Sequence, residues 1–317
     1  MSVTDKIRNA RSPLFTFELL PPLKGHSIDR IYAAIDRLIE FDPAYINFTS
    51  HRNEISYVER SDGSIEKRVV RIRPGTIALA AAVKYKYNIT VVPHILCGGF
   101  SKEETENALI EMNFLGINDV LALRGDPPKG SRRFIPEKDG HSYTYELVRQ
   151  IVNMNKGEYL GASLTNSSPS GFCIGVAGYP EKHFEAPNMQ VDIENLKLKV
   201  DAGADYVVTQ MFFDNGKFLQ FREACIQAGI KVPIIAGIKP ISALNDINLL
   251  PQAFHIDLPN DLVSAVKKCK DDKEAREVGI EWATMQSQEL IREKVPGVHY
   301  YTLGRSDNIA RIVKASF

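Results

Sequence analysis

The chain has 317 residues, 44% of them hydrophobic and 25% charged, an ordinary globular mixture with enough apolar mass for a large core. Lys plus Arg and Asp plus Glu both total 39, so no overall field recruits nucleic acid or an acidic membrane surface, and an anionic ligand has to be held by local charges. The four cysteines, Cys97, Cys173, Cys225 and Cys269, form no CxxC pair, which argues against zinc, an iron–sulfur cluster or a disulfide framework and leaves ordinary buried thiols.

Met1 to Arg11 is polar and mixed in charge, without the apolar core of a secretory signal, and no run approaches bilayer-spanning length, so the expected location is the cytoplasm. In that setting the sequon at Asn166 carries no weight. Leu14 to Leu20 is an apolar and aromatic run broken by Glu18 and stopped by Pro21 and Pro22, and a helical pattern follows from Ser27 to Phe41. Tyr45 to Thr49 reads as a second strand. Ser50 to Gly75 then departs from the pattern, with a hairpin signal at Ser61-Asp62-Gly63; it could cover a site or be a solvated excursion. A helix from Thr76 to Tyr87 and a strand from Ile89 to Cys97 come next, and Ser101 with Glu104 forms a capping box for another helix. Asn118 to Arg124 is the fourth strand, and it opens onto Gly125, Asp126 and two prolines that stop any regular structure. Beyond a helix from Thr144 to Asn155, an irregular Gly, Ser and Asn stretch from Gly161 to Gly171 leads to the strand Phe172 to Ala177. Strands at Tyr206 to Thr209, Val232 to Gly237 and Val298 to Thr302 complete the series. The remaining helices fall at Val191 to Ala202, Asn215 to Ala228, Lys273 to Lys294 and Ser306 to Lys314.

The strands are near-continuous apolar runs, as expected where both faces of a parallel sheet are covered. Eight such units fit a closed (β/α)8 barrel of class α/β, filling residues 1–317 as one domain, better than an open sheet. No GxGxxG follows any strand, which removes the main argument for the open alternative. A barrel of this kind carries its chemistry at the carboxyl ends of the strands. Those ends present Glu18, Thr49, His94, Arg124 with Asp126, Tyr179, Gln210, Gly237, and Thr302 with Arg305. Singly each has an ordinary use: Thr49 could cap a turn, His94 could be a satisfied core histidine, Arg124 and Asp126 could pair across their loop. Together they form one polar mouth. The helix from Val191 adds Asp192, Asn195 and Lys199 on a single face, just after Tyr179, Lys182, His183 and Ala186, a set suited to a phosphate-bearing cofactor or to a solvated surface.

The segments Phe17-Glu18-Leu19-Leu20-Pro21-Pro22, Pro93-His94-Ile95-Leu96-Cys97, Leu123-Arg124-Gly125-Asp126-Pro127, Val176-Ala177-Gly178-Tyr179-Pro180-Glu181, Asp201-Ala202-Gly203-Ala204-Asp205, Thr209-Gln210 and Tyr301-Thr302-Leu303 closely resemble the 5,10-methylenetetrahydrofolate reductase family, in order and over essentially the whole chain. The resemblance implies an FAD-containing TIM barrel that passes hydride from NADH or NADPH to the flavin and on to methylenetetrahydrofolate, giving 5-methyltetrahydrofolate. It makes Glu18 the general acid, places Asp126 and Gln210 at the folate beside the flavin, lets Thr49 and Gln210 meet the nicotinamide, and assigns Arg305 to folate. FAD would be held by Thr49, His94, Arg124, Gly125, Asp126, Thr144, Tyr179, His183, Ala186, Asp192, Asn195 and Lys199. The sequence departs from the family pattern at Ser50-His51-Arg52 and at Gly304, and at Asp246 and Leu250, where bacterial relatives carry a Gln and an aromatic; Phe254 is the candidate substitute. The end at Phe317 leaves no regulatory domain in expectation. The implied partners are the two small-molecule substrates, with no metal, nucleic acid or membrane, and with self-association open. Competing readings are another flavin-dependent barrel dehydrogenase, with proline dehydrogenase nearest in architecture, and a folate- or FAD-binding barrel that is non-catalytic or reduced by a partner protein.

Overall fold

The computed structural model describes residues 1–128, 130–131, 133–161, 166–302 and 304–317. Its strands are β1 (Leu14–Leu19), β2 (Tyr45–Phe48), β3 (Glu54–Glu59), β4 (Ile65–Val70), β5 (Val91–Leu96), β6 (Asp119–Leu123), β7 (Cys173–Gly178), β8 (Tyr206–Thr209), β9 (Ile234–Ile238) and β10 (Gly297–Tyr301). Eight of them close into a barrel in the order β1-β10-β9-β8-β7-β6-β5-β2, while β3 and β4 form a separate hairpin. The barrel pairs are parallel, and β1 docks against β10 with Thr16 opposite His299 and Glu18 opposite Tyr301. This is the (β/α)8 barrel expected from the alternation of apolar runs and helical segments.

Period-two alternation decides what each strand contributes. On β1, Phe15, Phe17 and Leu19 join the large apolar layer between barrel and helices, while Thr16 and Glu18 occupy the alternate positions. Tyr45, Val92, Leu121, Cys173, Tyr206, Val208 and Ile235 form a second apolar cluster together with Val3. Truncating a fully buried aromatic such as Phe17 typically costs about 3–5 kcal/mol. Two glycines make room for ring systems in these layers. A Cβ at Gly175 would stand 2.4 Å from Tyr206 Cζ, and one at Gly237 would stand 2.2 Å from the Thr209 carbonyl oxygen and 2.8 Å from the Tyr301 ring.

Two features of the fold were not expected. Val3–Asn9 forms a short helix, α1, opened by a capping box between Ser2 and Asp5, and the Val3 amide donates to Asp119 Oδ1 at 2.7 Å, at the amino end of β6. Between β9 and the long helix α10 (Asp272–Arg292) the chain inserts α8 (Asp246–Phe254) and α9 (Asn260–Lys267). These helices build a third cluster containing Met211, Phe213, Ile241, Leu250 and Leu262. The excursion after β2 does contain its hairpin, in antiparallel register from Glu54 opposite Val70 to Glu59 opposite Ile65. The remaining helices used below are α3 (Thr76–Tyr87), α4 (Lys102–Phe114), α5 (Thr144–Asn155) and α6 (Met189–Asp201). Among the described residues no helix is long and apolar enough to cross a membrane.

Candidate active site at the mouth of the barrel

Glu18 lies near the carboxyl end of β1, only 6% exposed, and its Oε2 is 3.8 Å from His94 Nε2 and 3.9 Å from His299 Nε2. The parallel pairing of β1 with β2 and β10 puts these groups at one level. Asn47, opposite Glu18 on β2, has its Nδ2 3.3 Å from His94 Nε2, and Thr16 Oγ1 is 2.7 Å from His299 Nδ1. The Glu18 carbonyl accepts from Thr302 Oγ1 at 2.8 Å, which fixes the backbone of the acid from the β10 side. Burial holds His94 down to about 4, against the opposing pull of Glu18, so this imidazole is neutral near pH 7. A desolvated carboxyl group between two histidines is a site for holding and moving one proton.

A second group of residues lines the β6, β7 and α6 side. Gly125 takes φ +84, a left-handed conformation that suits a glycine, and it turns the chain at the end of β6. Arg124 donates through Nη2 to Glu185 Oε2 at 2.5 Å and lies over the Phe134 ring, so its acidic partner is Glu185 and not Asp126. Lys199 Nζ donates to the Ala177 carbonyl at 2.8 Å and sits 5.8 Å from the Tyr179 ring centroid. Burial lowers Lys199 to about 8, against Asp192, which favours its charge, and with Arg124 lowering it further. Asp192 is buried and accepts from the His183 amide at 2.9 Å, so it supports the loop entering α6 and is no solvated surface charge. Burial, with Arg124 adding to it, lowers His183 to about 4. Ala186 is buried, and its carbonyl accepts from Lys182 Nζ at 2.8 Å. Thr144 is buried in the first turn of α5. The Cys97 thiol, pushed up to about 12 by burial, feels the charges of Glu146 in that same turn, Arg124 and Lys199, so these three elements converge. Asn195 is exposed on α6, one turn from Lys199.

The other expected residues fall into place unevenly. Asp126 is exposed, and its carbonyl is 3.5 Å from Arg52 Nη1. His51 feels both Asp126 and Glu18, which places the two carboxylates at one mouth. Gln210 uses its Oε1 to accept from the Met211 amide at 2.9 Å, leaving its donors for a ligand. Arg305 is exposed and donates to the Ser242 carbonyl at 3.3 Å, while Leu303 lies outside the described residues. Leu250, where bacterial relatives carry an aromatic, is 2% exposed inside the α8–α9 cluster, and Phe254, the candidate substitute, is partly buried against that cluster. A series of ring contacts runs from Tyr179 to His183, Phe184 and His255, with successive centroids 4.8, 4.7 and 4.7 Å apart, edge-on at the first pair and stacked at the last. The sequence alone does not mark His299, Glu185, Phe184 and His255, and His51 stood out only within the Ser50-His51-Arg52 departure. For His299 a signal existed, since it holds the alternate strand position two residues before Tyr301, across from Thr16.

The donor set fits a diphosphate-bearing cofactor such as FAD. Arg124, already paired with Glu185, and Lys199, whose charge burial disfavours, bring two cations together, and Thr49 Oγ1 is buried with no hydrogen-bond partner, an unsatisfied group that a ligand can complete.

The family described as methylenetetrahydrofolate reductase matches residues 3–316 of the chain. Methylenetetrahydrofolate reductase (NADH) 1 of Arabidopsis thaliana is 31% identical over 316 residues, covering 96% of this chain and 48% of that protein. The 5,10-methylenetetrahydrofolate reductase of Escherichia coli is 31% identical over 293 residues, covering 92% of this chain and 86% of that one. A probable methylenetetrahydrofolate reductase (NADPH) of Caenorhabditis elegans is 27% identical, with 98% of this chain and 43% of the relative covered. The chain thus spans about half the length of the plant and animal relatives and most of the bacterial one. Among solved structures, a Clostridium thermocellum protein described as binding two copies of 5-methyl-5,6,7,8-tetrahydrofolic acid superimposes with a TM-score of 0.58 at 15% identity, covering 99% of this chain and 98% of that one, a likeness of fold.

Proposed function

The chain belongs to the methylenetetrahydrofolate reductase family, and from that premise we propose that it reduces 5,10-methylenetetrahydrofolate to 5-methyltetrahydrofolate with FAD as resident cofactor and NADH or NADPH as the electron source. The observation that carries the reading is Glu18, a carboxyl group buried between His94 and His299 at the carboxyl end of β1. Bound FAD supplies the chemistry of accepting hydride from the nicotinamide and giving it to folate.

The protein's own residues account for the rest. The methylene bridge of the folate has to open to a cationic iminium before it accepts hydride, and opening needs a proton on the departing nitrogen. Glu18 holds that proton in a desolvated position and delivers it, while neutral His94 avoids placing a fixed positive charge against the cationic substrate. Asp126 at the rim favours the iminium electrostatically. Arg124 and Lys199 hold the cofactor phosphates, with Asp192 and Glu185 fixing the loop and the guanidinium, and Gly125 allows close approach of the backbone. Gln210 and Arg305 orient the folate, and Thr49 completes its unsatisfied hydroxyl on the nicotinamide side. One mouth serves both substrates in turn. Anaerobic stopped-flow at the flavin absorbance band, adding NADH, NADPH and methylenetetrahydrofolate separately, tests the proposal. Bleaching by a nicotinamide and reoxidation by the folate are expected, and a reduced protein that the folate leaves reduced would overturn it.

A further inference from the structure

The excursion after β2 returns from its hairpin through Arg71 and Arg73 to α3. Between that return, α3 and α4 lies a cavity of about 340 Å3 whose lining includes Ser50, His51, Arg71, Arg73, Thr76 and Phe100. Arg71 lies 5.3 Å from the Phe100 ring centroid and donates through Nε to Asn53 Oδ1 at 2.9 Å; Arg73 donates through Nη1 to the Pro21 carbonyl at 2.6 Å. Both guanidiniums are thus oriented by neutral partners, and neither has a carboxylate partner among the described residues. The one carboxylate in the lining is Glu111, from α4. His51 Nδ1 is buried with no partner, and burial with Arg73 holds the imidazole below its usual value, so it is a neutral polar group at pH 7. The helix α3 starts at Gly75 with φ +84 and no capping side chain, and the residues of its first turn, Thr76, Ile77 and Ala78, face the same space. Finally, Thr76 Oγ1 donates to the Thr49 carbonyl at 3.0 Å, which joins the cavity to the place where the Thr49 hydroxyl is unsatisfied.

Two unpaired guanidiniums, uncapped helix amides and a buried imidazole nitrogen form a receptor for a compact multiply charged anion. We propose that this cavity takes the diphosphate-bearing part of the nicotinamide dinucleotide whose reactive ring lies against Thr49, with Arg71 and Arg73 as the residues that hold the phosphates. The assignment rests on the reductase reading for the identity of the dinucleotide. A dinucleotide fits better than the other anionic extension available to these substrates, the γ-glutamyl tail of folate. The cavity opens beside Thr49 and the start of α3, whereas Arg305, the residue assigned to folate, bonds to the Ser242 carbonyl near α8.

The test uses the full chain in its flavin-loaded form. Binding of ADP-ribose, which has the diphosphate but no reducible ring, is measured by calorimetry in the wild type and in Arg71→Gln, Arg73→Gln and Arg71→Lys. Loss of one charge-assisted hydrogen-bonding group is expected to weaken ADP-ribose about tenfold or more, with Arg71→Lys recovering part of the loss. In steady state the Gln variants raise KM for NADH and NADPH and leave KM unchanged for both monoglutamyl and triglutamyl methylenetetrahydrofolate. Unchanged ADP-ribose affinity in both Gln variants overturns the inference. So does a wild type that binds no ADP-ribose at millimolar concentration, or a defect confined to the triglutamyl substrate. The two readings fail separately: arginine-dependent ADP-ribose binding without folate turnover would sink the reductase reading and keep the cavity, and turnover with arginine-independent binding would do the reverse.

Discussion

Replacing Glu18 by Gln isolates the proton from everything else the side chain does. The amide has nearly the shape of the carboxyl group, and the Thr302 hydroxyl still fixes the backbone carbonyl at 2.8 Å. What disappears is the ability to carry a transferable proton on a side chain whose Oε2 lies 3.8 Å from His94 Nε2 and 3.9 Å from His299 Nε2. Hydride transfer from the nicotinamide needs no such proton, so that half-reaction should stay within about tenfold of wild type, a barrier change of no more than roughly 1.4 kcal/mol. Opening of the methylene bridge does need it, and loss of a general acid typically removes on the order of a hundred- to ten-thousandfold. Anaerobic double-mixing stopped-flow measures both: the protein is first reduced with NADH, then mixed with methylenetetrahydrofolate. Equal loss of both half-reactions with the flavin retained would make Glu18 a structural or flavin-tuning residue. Loss of neither would send the search for the acid elsewhere, with Asp126 first.

Other outcomes follow from the same geometry. The purified protein should be yellow and release FAD on denaturation, because Arg124, Lys199 and the α6 entry loop offer more than a single phosphate needs; mass analysis showing FMN would contradict this. Lys199, lowered to about 8, is cationic below that pH and neutral above it, so the affinity of the apoprotein for FAD should be highest below pH 8 and fall as pH rises through it. The bound anion raises this value and delays the loss in the complex, and fluorescence titration of Lys199→Gln should show that pH dependence flattened. Gly175→Ala would put a methyl group 2.4 Å from Tyr206 Cζ and should cost about 1–3 kcal/mol in urea unfolding, with no change if the strand can shift freely.

The barrel was legible because both signals for it are local. Apolar runs mark strands covered on two faces, and the residues that end them, such as Glu18 before Pro21 and Arg124 before Pro127, mark the functional rim. What escaped depends on contacts distant in sequence or on weak local patterns. Arg124 pairs with Glu185 and not with its neighbour Asp126 because the entry loop of α6 folds back over β6. The Phe184–His255 stack joins segments that no spacing relates. The short α1 showed only its Ser2 and Asp5 capping box, and α8 is interrupted by Pro251, which reads as a breaker when periodicity is the guide. His299 looked like part of an apolar strand, and only the alternation shared with Thr16 and Glu18 marks it as facing them.

Whether a single mouth reduces a folate methylene group with electrons from a nicotinamide is decided by incubating the isolated, flavin-loaded chain anaerobically with 5,10-methylenetetrahydrofolate and either NADH or NADPH, and following folate products by chromatography with mass detection as both substrates are varied. 5-Methyltetrahydrofolate equal in amount to the nicotinamide consumed is expected, with parallel double-reciprocal lines, since one site would alternate between the two substrates. Nicotinamide oxidation with no 5-methyltetrahydrofolate formed, or intersecting lines showing both substrates bound together, would contradict it.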